Sequence, residues 1–274
     1  MSPSPAAPEF ITVDGDAIAL RRRPGATLGV VWLGGFRSDM LGTKAETLDG
    51  WAAKHGHAFL RHDYSGHGES GGRFTDGTIS RWLAQSLAVF RQFTSGPQIL
   101  VGSSMGAWIA LRMVEELREA GESGRVAGLL LLAPAPDFAT ELMEPLLTDA
   151  QRRDLAEKGF FEERSEYSPE PNVYTRALFE DGRRNRVLDG RIDLHCRVHI
   201  LQGMADPDVP YAHAVRLAEH LPPERVTLTL VGDGDHRLSR PQDLDMIVAA
   251  LERLADKAPA GWPGRISPVF SAGC

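Results

Sequence analysis

A serine, a histidine and a carboxylate can together run acyl chemistry, and this chain offers each in a distinctive setting. Ser104 is the centre of Gly102-Ser103-Ser104-Met105-Gly106. A serine hydroxyl is a poor nucleophile at neutral pH and needs a base, which is itself held by a carboxylate. The candidate base is His236, in the Gly-rich run Gly232-Asp233-Gly234-Asp235-His236. Asp206 and Asp208 compete for the acid role within Gln202-Gly203-Met204-Ala205-Asp206-Pro207-Asp208-Val209-Pro210. Asp206 is favoured because a carboxylate early in that loop best reaches back to the edge of a sheet. Asp208, two residues before Pro210, has an alternative role as a helix cap.

A second match to G-x-S-x-G, Gly68-Glu69-Ser70-Gly71-Gly72, shows that the pentapeptide alone decides nothing. The surroundings separate the two. Ser104 follows the β-prone run Ile99-Leu100-Val101 and precedes an apolar, Ala-containing helical pattern, the strand–turn–helix context that the motif requires. Such a turn strains its central residue and needs small residues where strand and helix pack closely, which assigns that part to Gly102 and Gly106. Ser70 sits in a Gly-rich loop with no strand entering and no helix leaving, and is read as a loop residue. Backbone N–H donors for an oxyanion are expected from Met105, the residue after the nucleophile, and from Phe36, which follows the Gly34-Gly35 pair. His67 lies in a loop at the carboxyl end of the sheet and could line the pocket.

The elements that would position these groups can be read in order. Phe10–Val13 and Ala17–Leu20 flank a Gly turn and form a hairpin. Leu28–Leu33 is a continuous apolar run, typical of a strand buried on both faces. A helix follows over 44–54, a strand over 57–63 and an amphipathic helix through Ile79, Trp82, Leu83 and Phe90. The elbow strand (98–101), the elbow helix (105–119) and a strand (126–133) come next. This alternation predicts βαβ units and a parallel sheet. It breaks between 136 and 192, where polar, Pro-bearing sequence carries scattered aromatics. That stretch reads as an inserted cap of mainly helical pieces over the carboxyl ends of the strands. The rhythm returns with a strand at 198–201, a helix at 212–221, a strand at 226–231 and a helix at 244–254. The expected organisation is one domain over 1–274, with flexible tails at 1–8 and 258–274.

The 274 residues, 42% hydrophobic and 24% charged, describe an ordinary globular chain with ample core material. A net charge of −7 counts modestly against nucleic acid or an anionic membrane as the main partner. Cys196 and Cys274 are too few for a disulfide framework. Without a signal sequence, a transit peptide or an apolar run long enough to span a bilayer, the expected location is cytoplasmic. No metal-ligand spacing, dinucleotide fingerprint or Walker A motif is present, so no cofactor is expected.

With these residues in view, the chain resembles the α/β-hydrolase superfamily. Within it, several stretches are similar to the branch of palmitoyl-protein thioesterases and acyl-glucuronide esterases. They are Gly35-Phe36, Ser38-Asp39-Met40, Gly42-Thr43-Lys44-Ala45, Asp63-Tyr64-Ser65-Gly66, Gly96–Gly106 and Gly203-Met204 with Asp206 and Val209-Pro210. The resemblance covers about residues 28–254 and implies Ser104, Asp206 and His236 as a triad. The expected fold is an α/β-hydrolase fold, a mostly parallel sheet flanked by helices with a small inserted cap. The expected activity is that of a serine hydrolase acting on carboxylic esters or thioesters of small molecules or acylated proteins. The same triad could serve a peptidase or an acyltransferase, and the fold could also be a non-catalytic binding module.

Overall fold

The computed structural model describes residues 7–164 and 170–256. Cys274 and the tail expected at 258–274 lie outside the described residues, as does most of the tail expected at 1–8.

An eight-stranded sheet forms the centre, in the order β1-β2-β4-β3-β5-β6-β9-β10. β1 (Glu9–Val13) and β2 (Asp16–Arg23) make the expected hairpin, and β2 pairs antiparallel with β4 (His57–His62). The remaining pairs are all parallel: β4 with β3 (Ala26–Leu33), β3 with β5 (Gln98–Ser103) and β5 with β6 (Val126–Leu132). β9 (Arg197–Gly203) and β10 (Val226–Val231) continue the sheet.

Successive side chains of a strand point to opposite faces, so each apolar run feeds two cores. Val31, Leu33, Leu100, Leu129, Leu131 and Ile200 face one layer. That layer contains α2 (Ile79–Phe93), α3 (Met105–Glu119) and α6 (Tyr211–His220). Val30, Trp32, Ile99, Val101, Leu130 and Leu132 face the other, which contains α1 (Thr43–His55) and α7 (Pro241–Asp256). Val30 and Val31 are each 1% exposed, which is why these strands read as continuous apolar runs rather than alternating ones.

The chain steps from β3 outward to β4 and then returns to place β5 on the other side of β3. Ligand sites of such sheets lie at the carboxyl ends of strands beside this kind of reversal. Register pairs Leu33 with Gly102, so the loops leaving β3 and β5 begin side by side.

The stretch between β6 and β9 departs from expectation in one respect. It holds a π-helical turn (Ala139–Met143), a 3₁₀ turn (Glu144–Leu146), α4 (Asp149–Glu157) and α5 (Arg176–Arg184). It also holds an antiparallel pair, β7 (Phe160–Glu163) with β8 (Asn172–Thr175), where the sequence suggested mainly helical pieces. At four residues each, these strands are too short for an alternating pattern to stand out. The stretch is fastened to the rest of the chain by polar contacts. Asp181 accepts hydrogen bonds from Ser80 N–H and Oγ–H, both at 2.8 Å, and Trp108 Nε1–H donates to Asn185 O at 2.8 Å.

Candidate active site

Ser104 occupies the turn between β5 and α3 with φ +54°, ψ −118°, a conformation that L-residues rarely adopt. Its backbone is held from both sides. The Ser104 N–H donates to Leu132 O at 2.9 Å, and its carbonyl accepts from Ala107 N–H at 3.0 Å and Ala135 N–H at 3.2 Å. The flanking glycines are required by contact. A Cβ at Gly102 would lie 2.4 Å from Gly106 O, and one at Gly106 would lie 2.1 Å from Leu33 O. Side chains at either position would force β3, β5 and α3 apart.

The two later loops are laced together through their backbones. Met204 N–H donates to Val231 O at 2.8 Å and Ala205 N–H to Gly234 O at 2.9 Å. Gly203 lets them approach, since a Cβ there would lie 2.2 Å from Gly234 O. Asp206 and His236, thirty residues apart in sequence, therefore share one rigid platform.

The structure brings Ser104, His236 and Asp206 together in one line. Ser104 Oγ lies 3.1 Å from His236 Nε2, and His236 Nδ1 lies 2.8 Å from Asp206 Oδ2. Burial alone would raise the Asp206 pKa. The contact with His236, the Val209 N–H and the Gln202 amide outweigh it and hold the carboxyl below its ordinary value. An ionised carboxylate only accepts, so Nδ1 of His236 carries the proton and Nε2 presents a lone pair to the Ser104 hydroxyl. The Asp206 side chain is fully buried, whereas that of His236 keeps 17% exposure.

Asp206 is distinguished from Asp208 by its surroundings. Oδ1 of Asp206 accepts from Asp208 N–H at 2.9 Å and Val209 N–H at 2.8 Å, and Oδ2 also takes the Gln202 amide at 3.0 Å. Asp208 is exposed, and the residue at the N-cap of α6 is Pro210, which makes no side-chain capping bond. Asp206, Asp208 and His236 place possible metal-ligand atoms within 4.8 Å of one another. Two of the three, Asp206 and His236, are joined to each other by the 2.8 Å hydrogen bond of the relay.

Of the two oxyanion candidates, Met105 opens α3, whose first N–H groups have no partner within the helix. Phe36 follows Gly35, where a Cβ would lie 3.4 Å from both Ser103 O and Ser104 Cβ. The loop after β3 thus passes close enough to the serine that a side chain at position 35 would touch it. The Phe36 ring stacks on Tyr174 with centroids 5.3 Å apart and lies edge-on to Phe74 at 4.9 Å and Phe138 at 5.8 Å.

Ser70, the second motif serine, is spent on structure. Its hydroxyl donates to Asp63 O at 2.7 Å and accepts from Ala19 N–H at 2.8 Å. Sequence reasoning missed Gln202, which sits buried under the acid, and Lys44, whose ammonium donates to Arg237 O beside the histidine. Burial and the nearby Arg237 push that ammonium down to about 8, against the pull of Asp235 and Asp243. Neither residue carries a motif; only the folded chain brings them to the site. His67 is buried rather than lining an open pocket, and its Nε2 accepts the Arg37 N–H at 3.1 Å.

The sequence profile of the alpha/beta hydrolase family matches residues 25–266. Palmitoyl-protein thioesterase ABHD10, mitochondrial, from Mus musculus is 30% identical over 243 residues, covering 88% of this chain and 79% of the relative. A solved structure of mouse alpha/beta hydrolase domain-containing protein 10 superposes with a TM-score of 0.82. It has 28% identity and covers 92% of this chain and 99% of that one. A crystal structure from Agrobacterium vitis S4, of a protein whose name only suggests a hydrolase, gives 0.89. It has 57% identity over 92% of this chain and 99% of that one.

Proposed function

The chain belongs to the alpha/beta hydrolase family, and from that premise we propose that it is a serine hydrolase cleaving carboxylic esters or thioesters through an acyl-enzyme. The reading rests on one observation above the rest: the relay from Ser104 Oγ to His236 Nε2 at 3.1 Å and from Nδ1 to Asp206 at 2.8 Å.

In this mechanism Ser104 Oγ attacks the acyl carbon while its proton passes to His236 Nε2. The imidazolium is stabilised by Asp206, which stays ionised. The Phe36 and Met105 N–H groups take the developing oxyanion. When the tetrahedral adduct collapses, His236 gives the proton to the departing alcohol or thiol. Water then enters, gives a proton to His236 and attacks the acyl carbon; as the acyl–Oγ bond breaks and the acid leaves, His236 returns that proton to Ser104 Oγ. No step calls for a cofactor.

The relative from Mus musculus favours an acylated substrate, because it is named as a palmitoyl-protein thioesterase. The stretch 136–192 acts as the cap that selects the acyl group. Its Phe138 and Tyr174 rings against Phe36 support this assignment. Among the described residues no helix is long and apolar enough to cross a membrane. A cytoplasmic location remains part of the proposal, although the curated relatives are named as mitochondrial.

The test is a chain-length series of p-nitrophenyl esters run beside acyl thioesters, with wild type and Ser104→Ala. Hydrolysis falling on the order of a thousandfold or more in the variant agrees with the proposal. Long thioesters outrunning short oxygen esters would match the thioesterase relatives, and the reverse order would exclude that substrate class. Retained hydrolysis in the variant removes Ser104 from the mechanism.

A further inference from the structure

The loop after β3 contains a strained turn. Ser38 N–H donates to Gly35 O at 3.1 Å, closing a four-residue turn, and Arg37 at its third position has φ +57°. A positive φ at that position alone is the mark of a type II turn, where glycine is the usual occupant. Arginine has the Cβ that this conformation disfavours. Rotating the peptide between Phe36 and Arg37 would convert the turn to type I and relieve the strain. Something must hold that peptide in place.

The structure offers one group for the task. The Arg37 N–H, which belongs to that peptide, points at His67 Nε2 at 3.1 Å. Rotation would turn the Phe36 carbonyl toward the same lone pair. His67 is 4% exposed and fixed on several sides. Its Nδ1 lies 3.2 Å from Ser65 O, and its ring meets Tyr64, Phe74 and Trp82 at centroid distances of 5.5, 5.2 and 5.2 Å. With Nδ1–H donated to Ser65 O, Nε2 is left as an acceptor. Burial, with Arg37 adding to it, keeps the ring neutral by pushing its pKa down to about 4.

The neighbouring peptide, between Gly35 and Phe36, supplies the Phe36 N–H. Its carbonyl is the one that Ser38 engages. Both peptides flanking Phe36 are therefore held, one by the turn's own hydrogen bond and the other by His67. The same arrangement aims the Arg37 guanidinium at Pro171 O and Glu170, at the start of the segment that enters β8.

We propose that His67 is a positioning residue for acyl transfer: its Nε2 lone pair holds the strained Gly35–Ser38 turn in the form that presents the Phe36 N–H to the oxyanion. The proposal rests on the serine-hydrolase reading and adds to it a residue that touches neither substrate nor triad.

The experiment compares wild type, His67→Phe, His67→Gln and the double variant His67→Phe with Arg37→Gly, each with a thermal melt. With p-nitrophenyl butyrate, His67→Phe keeps a ring but loses the acceptor. Its kcat should fall by about ten- to a hundredfold, a fraction of what removing an oxyanion donor costs, with KM changed by less than about threefold. His67→Gln restores an acceptor and should recover much of the loss. Arg37→Gly removes the strain and should partly rescue the Phe variant. Independently of any variant, ¹⁵N-labelled wild type should show scalar coupling across the hydrogen bond between Arg37 N and His67 Nε2. A folded Phe variant with kcat within twofold of wild type, a Gln variant no better than Phe, or absence of that coupling overturns the proposal. Wild type that neither hydrolyses esters nor reacts with a fluorophosphonate overturns the underlying reading instead. Full activity in wild type with no effect at His67 removes this inference alone.

Discussion

Asp206→Asn changes one atom in the fully buried acid of the site, and the structure dictates which way the amide will face. Oδ1 accepts two backbone N–H groups, from Asp208 at 2.9 Å and Val209 at 2.8 Å. Placing the amide NH₂ there would leave both donors facing a donor, at about 1–3 kcal/mol each. The amide oxygen therefore keeps that position and the NH₂ takes the place of Oδ2, facing His236 Nδ1 and the Gln202 amide. Gln202 is held as a donor there, because its Nε2 also donates to Gly203 O at 3.0 Å and Val209 O at 3.1 Å, so this orientation leaves one donor–donor contact instead of two, at about 1–3 kcal/mol. His236 adapts by accepting at Nδ1, which moves its proton to Nε2, 3.1 Å from Ser104 Oγ. A base already protonated at Nε2 cannot take the serine proton. The same tautomer fault in a serine protease lowers kcat about 10⁴-fold, or about 5.5 kcal/mol of activation free energy. We expect a loss of that order in kcat for p-nitrophenyl butyrate in a variant that still folds, because the backbone bonds to Oδ1 survive, with a melting temperature lowered by the donor left facing Gln202. Asp208→Asn, measured in parallel, should stay within about threefold of wild type. Asp206→Asn keeping more than a tenth of wild-type kcat, or Asp208→Asn losing as much, would refute this assignment of the acid.

Three further outcomes follow from contacts elsewhere. Gly106→Ala places a methyl group 2.1 Å from Leu33 O. Backbone cannot yield there as a side chain would, so we expect at least about 3 kcal/mol of destabilisation by urea titration; an unchanged midpoint would contradict the packing argument. Asp181→Ala strips partners from Ser80 and Asn185. It should cost about 2–4 kcal/mol and speed amide exchange in α5 while the central strands stay protected. The third concerns pH. Burial pushes His62 and His67 down to about 4, whereas the unfolded chain takes up those protons near pH 6.5. Between about pH 6.5 and 4 the unfolded state binds more protons, so stability falls as pH falls through that window. The loss approaches about 3 kcal/mol per ring near pH 4. Urea midpoints at several pH values should slope accordingly, and His62→Gln should flatten the slope.

Much of the fold is legible in the sequence because burial on both faces leaves little ambiguity. Leu28–Leu33, Ile99–Val101 and Val126–Leu132 could hardly be anything but central strands, and the elbow helix begins at Met105 and ends at Glu119 as its pattern suggests. The candidate site is legible for a related reason. Ser104, Asp206 and His236 each follow a strand, and parallel strands deliver the residues after them to one end of the sheet. Legibility stops where function depends on contacts between distant segments. Nothing local to Gln202 shows that it lies beneath Asp206, and nothing near Lys44 announces Arg237. The β7–β8 hairpin escaped because so few residues carry its pattern. His67 was visible as a loop histidine, but its partner, the Arg37 amide, is a backbone group with no signature in sequence.

The central claim, that Ser104 is the nucleophile, is tested most directly by incubating the folded protein with a fluorophosphonate and reading the intact mass and its tryptic map. The account predicts one adduct per chain, on the peptide carrying Ser104, abolished by Ser104→Ala and strongly slowed by Asp206→Asn. An unlabelled protein, or an adduct on Ser70 in the second G-x-S-x-G, would contradict it.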